Sequence, residues 1–360
     1  MLKMFNKKIR KLHFEKNSIY VNRTTVVEIG IVDGIRWVIV GDAGSGKSYL
    51  LGVVLNQLKN VFMFDPTGKF NDTVEEMDTL DKWQFFELNP KNRENNFKMN
   101  VADLHSRILN SLFPRSEDTE KKRKQRQAIE EFIARPNKNY DDWETMCEEN
   151  KLDALYTDMR WILSENDSAP RLIDMCNGKK SIVCEEISIR NPSIGVFLQS
   201  LIGARSKMKK SYRLNPNNFV LVALDEAQDY CRYQTPVGNA FAELGLQARK
   251  YGIGEVLVGS AYDNLHPDVR AKSNMKYIFS SPGLTNSYKR EGINIIQDDW
   301  QKLDKYECFM FSDDGKFNGA VNNDIAMPDT YFQEIRAINK IPQITIKKQE
   351  FAFRPRLRVF

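Results

Sequence analysis

The chain has 360 residues, enough for one large α/β domain with an insertion or for two domains of ordinary size. An apolar fraction of 41% supports a packed core, and a formal net charge of +5 suits a nucleic-acid partner and a lysine-rich enzyme equally well. Five scattered cysteines without a C-x-x-C pair, and histidines as far apart as His13, His105 and His266, argue against a zinc site and a disulfide framework.

The opening "MLKMFNKKIRKLHFEK" is basic without an apolar core, and "VVEIGIVDGIRWVIV" is interrupted by Glu28, Asp33 and Arg36, so the expected setting is soluble, reducing and cytoplasmic. Residues 18–40 read as short strands leading into "GDAGSGKSYL" (41–50), and residues 47–58 as a helix. Gly41, Gly46, Lys47 and Ser48 have the spacing G-x-x-x-x-G-K-[ST], in the strand-to-helix context that such a match requires. Glycines at 41, 44 and 46 let backbone N–H groups turn inward, and the first helical turn adds unpaired donors at the positive end of its dipole. Lys47 suits the β- and γ-phosphates and Ser48 a bridging Mg²⁺. The expected ligand is ATP or a similar triphosphate with Mg²⁺, contacted by Gly41, Asp42, Ala43, Gly44, Ser45, Gly46, Lys47, Ser48 and Tyr49.

The strand "VFMFD" (61–65), closed by the turn Pro66-Thr67-Gly68, completes a βαβ unit. From 104 to 178 charged segments carry helical apolar spacing; this predicts a helical insertion with a small core around Trp143, Met146 and the stretch Leu152 to Trp161. Strand character resumes at "SIVCEEI" (181–187), followed by a helix that starts at Pro192 behind an Asn191 cap. "NFVLVALDEAQDY" reads as a buried strand, then come a helix over 237–250, the strand "GEVLVGS", and later strands in "YIFSS" and "ECFMFSDD". This alternation predicts a mostly parallel, helix-covered sheet. The expected divisions are 1–103 for the first part of an ATPase core, 104–178 for the insertion, 179–335 for the rest of the core, and 336–360 for a basic tail.

Asp225 and Glu226 close the apolar run "FVLVAL", at the strand end where α/β sheets bind ligands. Asp225 suits a Mg²⁺ held through water, and Glu226 suits a general base that polarises the attacking water. A glutamate after the magnesium aspartate favours hydrolysis of ATP, and no N-K-x-D motif for reading guanine is present.

The phosphate loop, "VFMFDPTGKF", "SIVCEEIS" with its helix, "LDEAQDY" and "LQARKYGIGEVLVGSAYDNLHPDV" follow one another as in the HerA and FtsK superfamily of DNA-pumping ATPases, which the chain resembles over about residues 30–280 outside the insertion. The resemblance implies a RecA-like P-loop core, ATP hydrolysis, a homo-oligomeric ring of hexameric type, and translocation of double-stranded DNA. A compact viral genome-packaging motor is the expected member, with a portal, capsid or nuclease protein as further partner and the host cytoplasm or virion as location. Conjugation or filamentous-phage extrusion, and a regulatory ring that moves no DNA, are the alternatives. Lys47, Ser48, Asp225 and Glu226 match the family's nucleotide site. Arg249 matches the arginine presented to a neighbouring subunit's γ-phosphate, where it either serves that role or lies at a solvated helix end. Where many relatives carry a sensor glutamine after the next strand, this chain has Ser260.

Asp65 either lies near the nucleotide or caps its own turn. Candidate DNA contacts are Arg232, Lys289 and Arg290. The run Lys121 to Arg126 reads as a solvated face paired with the acids before it. Arg354, Arg356 and Arg358, interleaved with Phe351, Phe353 and Phe360, suit a contact with a neighbouring subunit more than DNA. His266 is expected at a turn or helix start, and Cys184 and Cys231 as small packed groups.

Overall fold

The structure is a computed structural model. It describes residues 35–70, 98–113, 119–160, 193–214 and 218–280, with shorter runs that include 18–20, 26–28, 83–87, 162–164, 171–176, 180–184, 307–312 and 317–322.

Strands β1 (Ser18–Tyr20) and β2 (Val26–Glu28) pair antiparallel as a separate ribbon. The main sheet comprises β3 (Arg36–Val40), β4 (Asn60–Asp65), β5 (Trp83–Glu87), β6 (Lys180–Cys184), β7 (Val220–Leu224), β8 (Ile253–Gly259), β9 (Met275–Phe279), β10 (Glu307–Ser312) and β11 (Phe317–Asn322). Its order is β11-β10-β9-β3-β8-β7-β4-β6-β5. Every pairing from β9 through β5 is parallel, and β10 and β11 extend one edge antiparallel. The expected mostly parallel sheet is therefore present.

The central strands are mostly apolar because both faces are covered; β4, β7 and β8 are buried at every residue, the polar Asn60, Asp65 and Glu255 included. Alternate side chains go to opposite layers. Trp37, Ile39, Val61, Met63 and Val256 meet helix α1 (Lys47–Asn56), whose Leu50 to Leu55 are all buried. Val38, Val40, Phe62, Phe64 and Val222 meet the other layer. That layer contains α2 (Glu120–Ala134), α3 (Tyr140–Glu149), α4 (Ser193–Lys207) and α6 (Pro236–Tyr251); the short α5 (Ala227–Tyr230) packs against β8 and α7 (Pro267–Lys272) against α6. Phe197 of α4 packs edge-on to Phe62 and Phe64 at 5.0 and 5.5 Å between ring centres.

The described chain between β5 and β6 is helical apart from one isolated bridge, Met99 to Leu163. Thr119 and Asn139 cap α2 and α3 by accepting from the N–H groups of Lys122 and Asp142. Trp143 packs against Phe132 at 5.4 Å, with Met146, Cys147 and Leu152 also buried. The core expected there is continuous with the main core, because these side chains join one apolar cluster with α4, α6 and the sheet. Trp161 lies outside the described residues.

Several boundaries move. The helix expected to reach 58 ends at Asn56, the strand expected over 181–187 is described as Lys180–Cys184, and α6 extends one residue beyond 237–250 at each end. The Asn191 cap, Lys289, Arg290 and the tail residues from 336 lie outside the described residues, as does the side chain of Cys184.

Candidate nucleotide site

The loop from 41 to 46 joins the C-terminal end of β3 to α1 and is anchored to its neighbours. Gly41 N–H donates to Gly259 O at 3.2 Å and Asp42 N–H to Ser280 O at 2.8 Å, which ties the loop to the ends of β8 and β9. Two glycines are required by geometry. A Cβ on Gly41 would lie 2.4 Å from Phe279 Cβ, and Gly46 caps α1 at φ 110°, where other residues are strained. Helix α1 carries no acid in its first turn, so nothing there opposes an anion. Ser45 Oγ is buried with no hydrogen-bond partner within the protein. An orphaned buried hydroxyl in the loop that leads into a helix N-terminus fits a phosphate oxygen.

Lys47 turns back over the loop, and its Nζ donates to Asp42 O at 2.6 Å. Burial holds its pKa below the ordinary lysine value, while Asp225, Glu226 and Asp42 pull the other way. Ser48 and Tyr49 are half-buried in the same helical turn, and Ala43 and Gly44 are exposed at the loop tip.

Asp225 and Glu226 follow β7, which is separated from β3 by β8 alone. Two strand spacings put the ends of β3 and β7 about 10 Å apart. Asp225 N–H donates to Phe64 O at 3.0 Å, and its Oδ1 accepts from Glu226 N–H at 2.9 Å. Burial pushes the Asp225 carboxyl up to about 6; the Glu226 N–H and Lys47 oppose this, whereas the charges of Glu226 and Asp65 add to it. Glu226 sits in the left-handed region at φ 48°, ψ 36°, and caps α5.

Gln228 is the residue that the sequence reading passed over. Its side-chain amide donates to Glu226 Oε2 at 2.6 Å and to Asp229 Oδ2 at 3.2 Å, and its Oε1 accepts from Ser260 N–H at 3.0 Å. The available signal was its place two residues beyond Glu226, within the same turn.

The other candidates separate. Asp65 caps its own turn: its Oδ1 accepts from Thr67 N–H and Oγ1 and its Oδ2 from Phe70 N–H, at 3.3, 3.1 and 2.7 Å. Arg232 is held within its own segment, donating to Gln228 O at 2.8 Å and to Asp229 Oδ1 at 3.0 Å. Glu120 pairs with Lys124 across one turn of α2 at 3.1 Å, both strongly exposed. His266 caps α7, its Nδ1 accepting from Asp268 N–H at 3.2 Å, and Cys231 is buried. Arg249 falls in the last turn of α6, and its side chain lies outside the described part.

A helix-covered parallel sheet with a phosphate loop at the end of a central strand is the architecture of a P-loop NTPase. Within that class the chain belongs to the family of the HerA helicase central domain, whose model matches residues 36–229, over half of the sequence. Among solved structures it is similar to VirB4 of Thermoanaerobacter pseudethanolicus, with 15% identity, 88% of this chain and 96% of that chain covered, and a TM-score of 0.53. It is similar also to the bacterial conjugative coupling protein TrwB, at 12% identity with 86% and 90% covered and a TM-score of 0.53. The genome packaging NTPase B204 of Sulfolobus turreted icosahedral virus 2 aligns at 14% identity, with 80% and 98% covered and a TM-score of 0.38. The curated proteins contain no match. Among the described residues, no helix is long and apolar enough to cross a membrane.

Proposed function

We propose that the chain is an ATP-hydrolysing motor that moves double-stranded DNA as a hexameric ring with active sites between subunits. The supporting observation is the Asp225–Glu226 pair one strand removed from the phosphate-loop strand, near enough to Lys47 for both acids to act on its charge. Lys47 and the N–H groups of the loop would take the phosphates, and Ser48 and Asp225 would hold Mg²⁺, a hard cation that prefers oxygen ligands of this kind. When bound, the metal neutralises charge on the β- and γ-phosphates. Glu226 takes a proton from the attacking water, and Arg249 of a neighbouring subunit offsets charge that develops at the γ-phosphate.

Packaging a viral genome is the use proposed for such a motor. Export of single-stranded DNA or protein is the alternative, and it gains support from the shared fold with VirB4 and with TrwB, a coupling protein by name. A ring that hydrolyses ATP without moving DNA is the third reading. Turnover measured with Mg²⁺ and ATP alone, with linear duplex and with single strands separates them: stimulation by duplex is expected, preference for single strands favours export, and indifference to both leaves the third reading. Glu226→Gln is expected to keep ATP affinity and reduce turnover at least about 100-fold. An unchanged rate would overturn the assignment of the base.

A further inference from the structure

We infer that Gln228 is a positioning residue for this reaction, holding the Glu226 carboxylate to the C-terminal end of β8 so that the base and that strand end move as one unit. The inference rests on the hydrolytic reading of the site.

Gln228 is 6% exposed, and each side of its amide is engaged. The NH₂ meets two carboxylates, Glu226 and Asp229, and the carbonyl oxygen meets the N–H of Ser260. Turning the amide over would set its NH₂ against an N–H and its oxygen against two carboxylates, so the partners fix the orientation. The backbone is pinned as well, because Gln228 O accepts from Arg232 Nε at 2.8 Å. The fit is tight from the β8 side: a Cβ on Gly259 would lie 2.5 Å from Gln228 Oε1, so any other residue there would displace the amide.

The arrangement has a chemical consequence. Glu226 springs from a left-handed backbone with several rotatable bonds beyond it, and Gln228 holds one of its oxygens, Oε2, leaving Oε1 to meet water. A planar amide is rigid, so a displacement of Ser260 N–H is passed to the Glu226 carboxylate. Gly259 O also accepts from Gly41 N–H, which links this strand end to the phosphate loop. At the position where the resembled family carries a sensor glutamine, Ser260 offers only its short side chain and its N–H; the amide comes instead from α5.

Two variants of the full chain test this, with kcat measured under saturating Mg²⁺ and ATP and affinity measured with a non-hydrolysable ATP analogue. Gln228→Ala should lower kcat at least about 10-fold and leave analogue affinity within about twofold, since positioning of a base acts on the chemical step. Equal losses in both, or none in either, overturn the inference. Gln228→Glu keeps the shape and decides the matter if the alanine variant does not fold. Its neutral acid can donate to Glu226 and accept from Ser260 N–H, whereas its ionised form adds a third negative charge beside Glu226 and Asp229, which Arg232 and Lys47 offset in part. Its kcat relative to wild type should therefore fall at least about 10-fold between about pH 5.5 and about pH 8, and a flat ratio counts against the inference. Lack of turnover in the wild-type protein would defeat the hydrolytic reading itself, whereas turnover matched by both variants defeats the role of Gln228 alone.

Discussion

Asp225 carries a burial cost that the Glu226 N–H and Lys47 offset only in part. Its carboxyl is raised from an ordinary 3.8 to about 6, chiefly by burial. Between about pH 4 and about pH 6 the folded protein therefore keeps a proton that the unfolded chain has released, so stability falls as pH rises through that window. Above it the full penalty, about 3 kcal/mol, is present. Asp225→Asn preserves the acceptor for Glu226 N–H and removes the charge. It should raise the urea midpoint of the nucleotide-free protein at pH 7, flatten its slope between about pH 4 and about pH 6, and abolish Mg²⁺-dependent turnover. A variant less stable than wild type at pH 7 would contradict this account. The positions of Lys47, Ser48, Asp225 and Glu226 were legible because each lies in a local pattern of chain spacing and strand end. Gln228 was not, since its partner Ser260 is 32 residues away and meets it only when β8 lies beside β7.

At the scale of elements, the junction between α6 and β8 rests on one buried cation. Arg205 of α4 is 0% exposed; its Nε donates to Tyr251 O at 3.0 Å and its Nη2 to Arg213 O at 2.8 Å and to Gly252 O at 3.3 Å. Tyr251 O closes α6 and Arg213 O closes the short helix Lys210–Arg213, two helix ends whose last carbonyls need outside donors, while Gly252 O also accepts from Val220 N–H at 3.0 Å. Gly252 is at φ 67°, and a Cβ there would meet Arg213 O at 1.8 Å, so the reversal from helix to strand needs glycine. Arg205→Met keeps most of the volume and removes the donors to Tyr251 O and Arg213 O, for an expected loss of about 2–4 kcal/mol in urea unfolding; a loss under about 0.5 kcal/mol would refute it. Farther along α6, Glu243 accepts from Gln199 at 2.8 Å and pairs with Arg107 at 3.2 Å, so the helix bearing Arg249 is tied to α4 and to the segment before α2. The sequence reading located α1 behind the phosphate loop, α4 behind an Asn-Pro start, and α6 before the strand that follows it, although α1 from Leu50 to Leu55 and α4 from 194 to 205 are buried all round. It missed β5, whose "WQFFE" is short and without alternation, and β11, whose "FNGAVN" carries a glycine and polar ends; both are identified as strands by their pairing.

At the scale of the whole molecule, the order of strands sets the chemistry. Because β8 lies between β3 and β7, its end adjoins both the phosphate loop and the paired acids, and Gly259 and Ser260 bond to one side each. A ring with Arg249 acting across subunits makes a separate prediction. Arg249→Ala and Lys47→Ala proteins should each be inactive alone, and mixing them should restore part of the wild-type turnover, because an intact loop then meets an intact arginine at some interfaces. No recovery at any ratio would argue against action in trans. DNA held through phosphates should also bind with an affinity that falls steeply with salt and depends little on sequence.

The sequence by itself determined the triphosphate loop, the strand carrying Asp225 and Glu226, and the α/β class, because these depend on residues near one another along the chain and on the burial period of each element. Tertiary structure alone decided that β8 stands between β3 and β7, that Asp65 serves its own turn, that the helices between β5 and β6 join the main core, and that Gln228 connects Glu226 to a distant strand end. Those outcomes depend on which apolar faces pack together and which polar groups then find partners across the sheet. Local spacing carries no record of either.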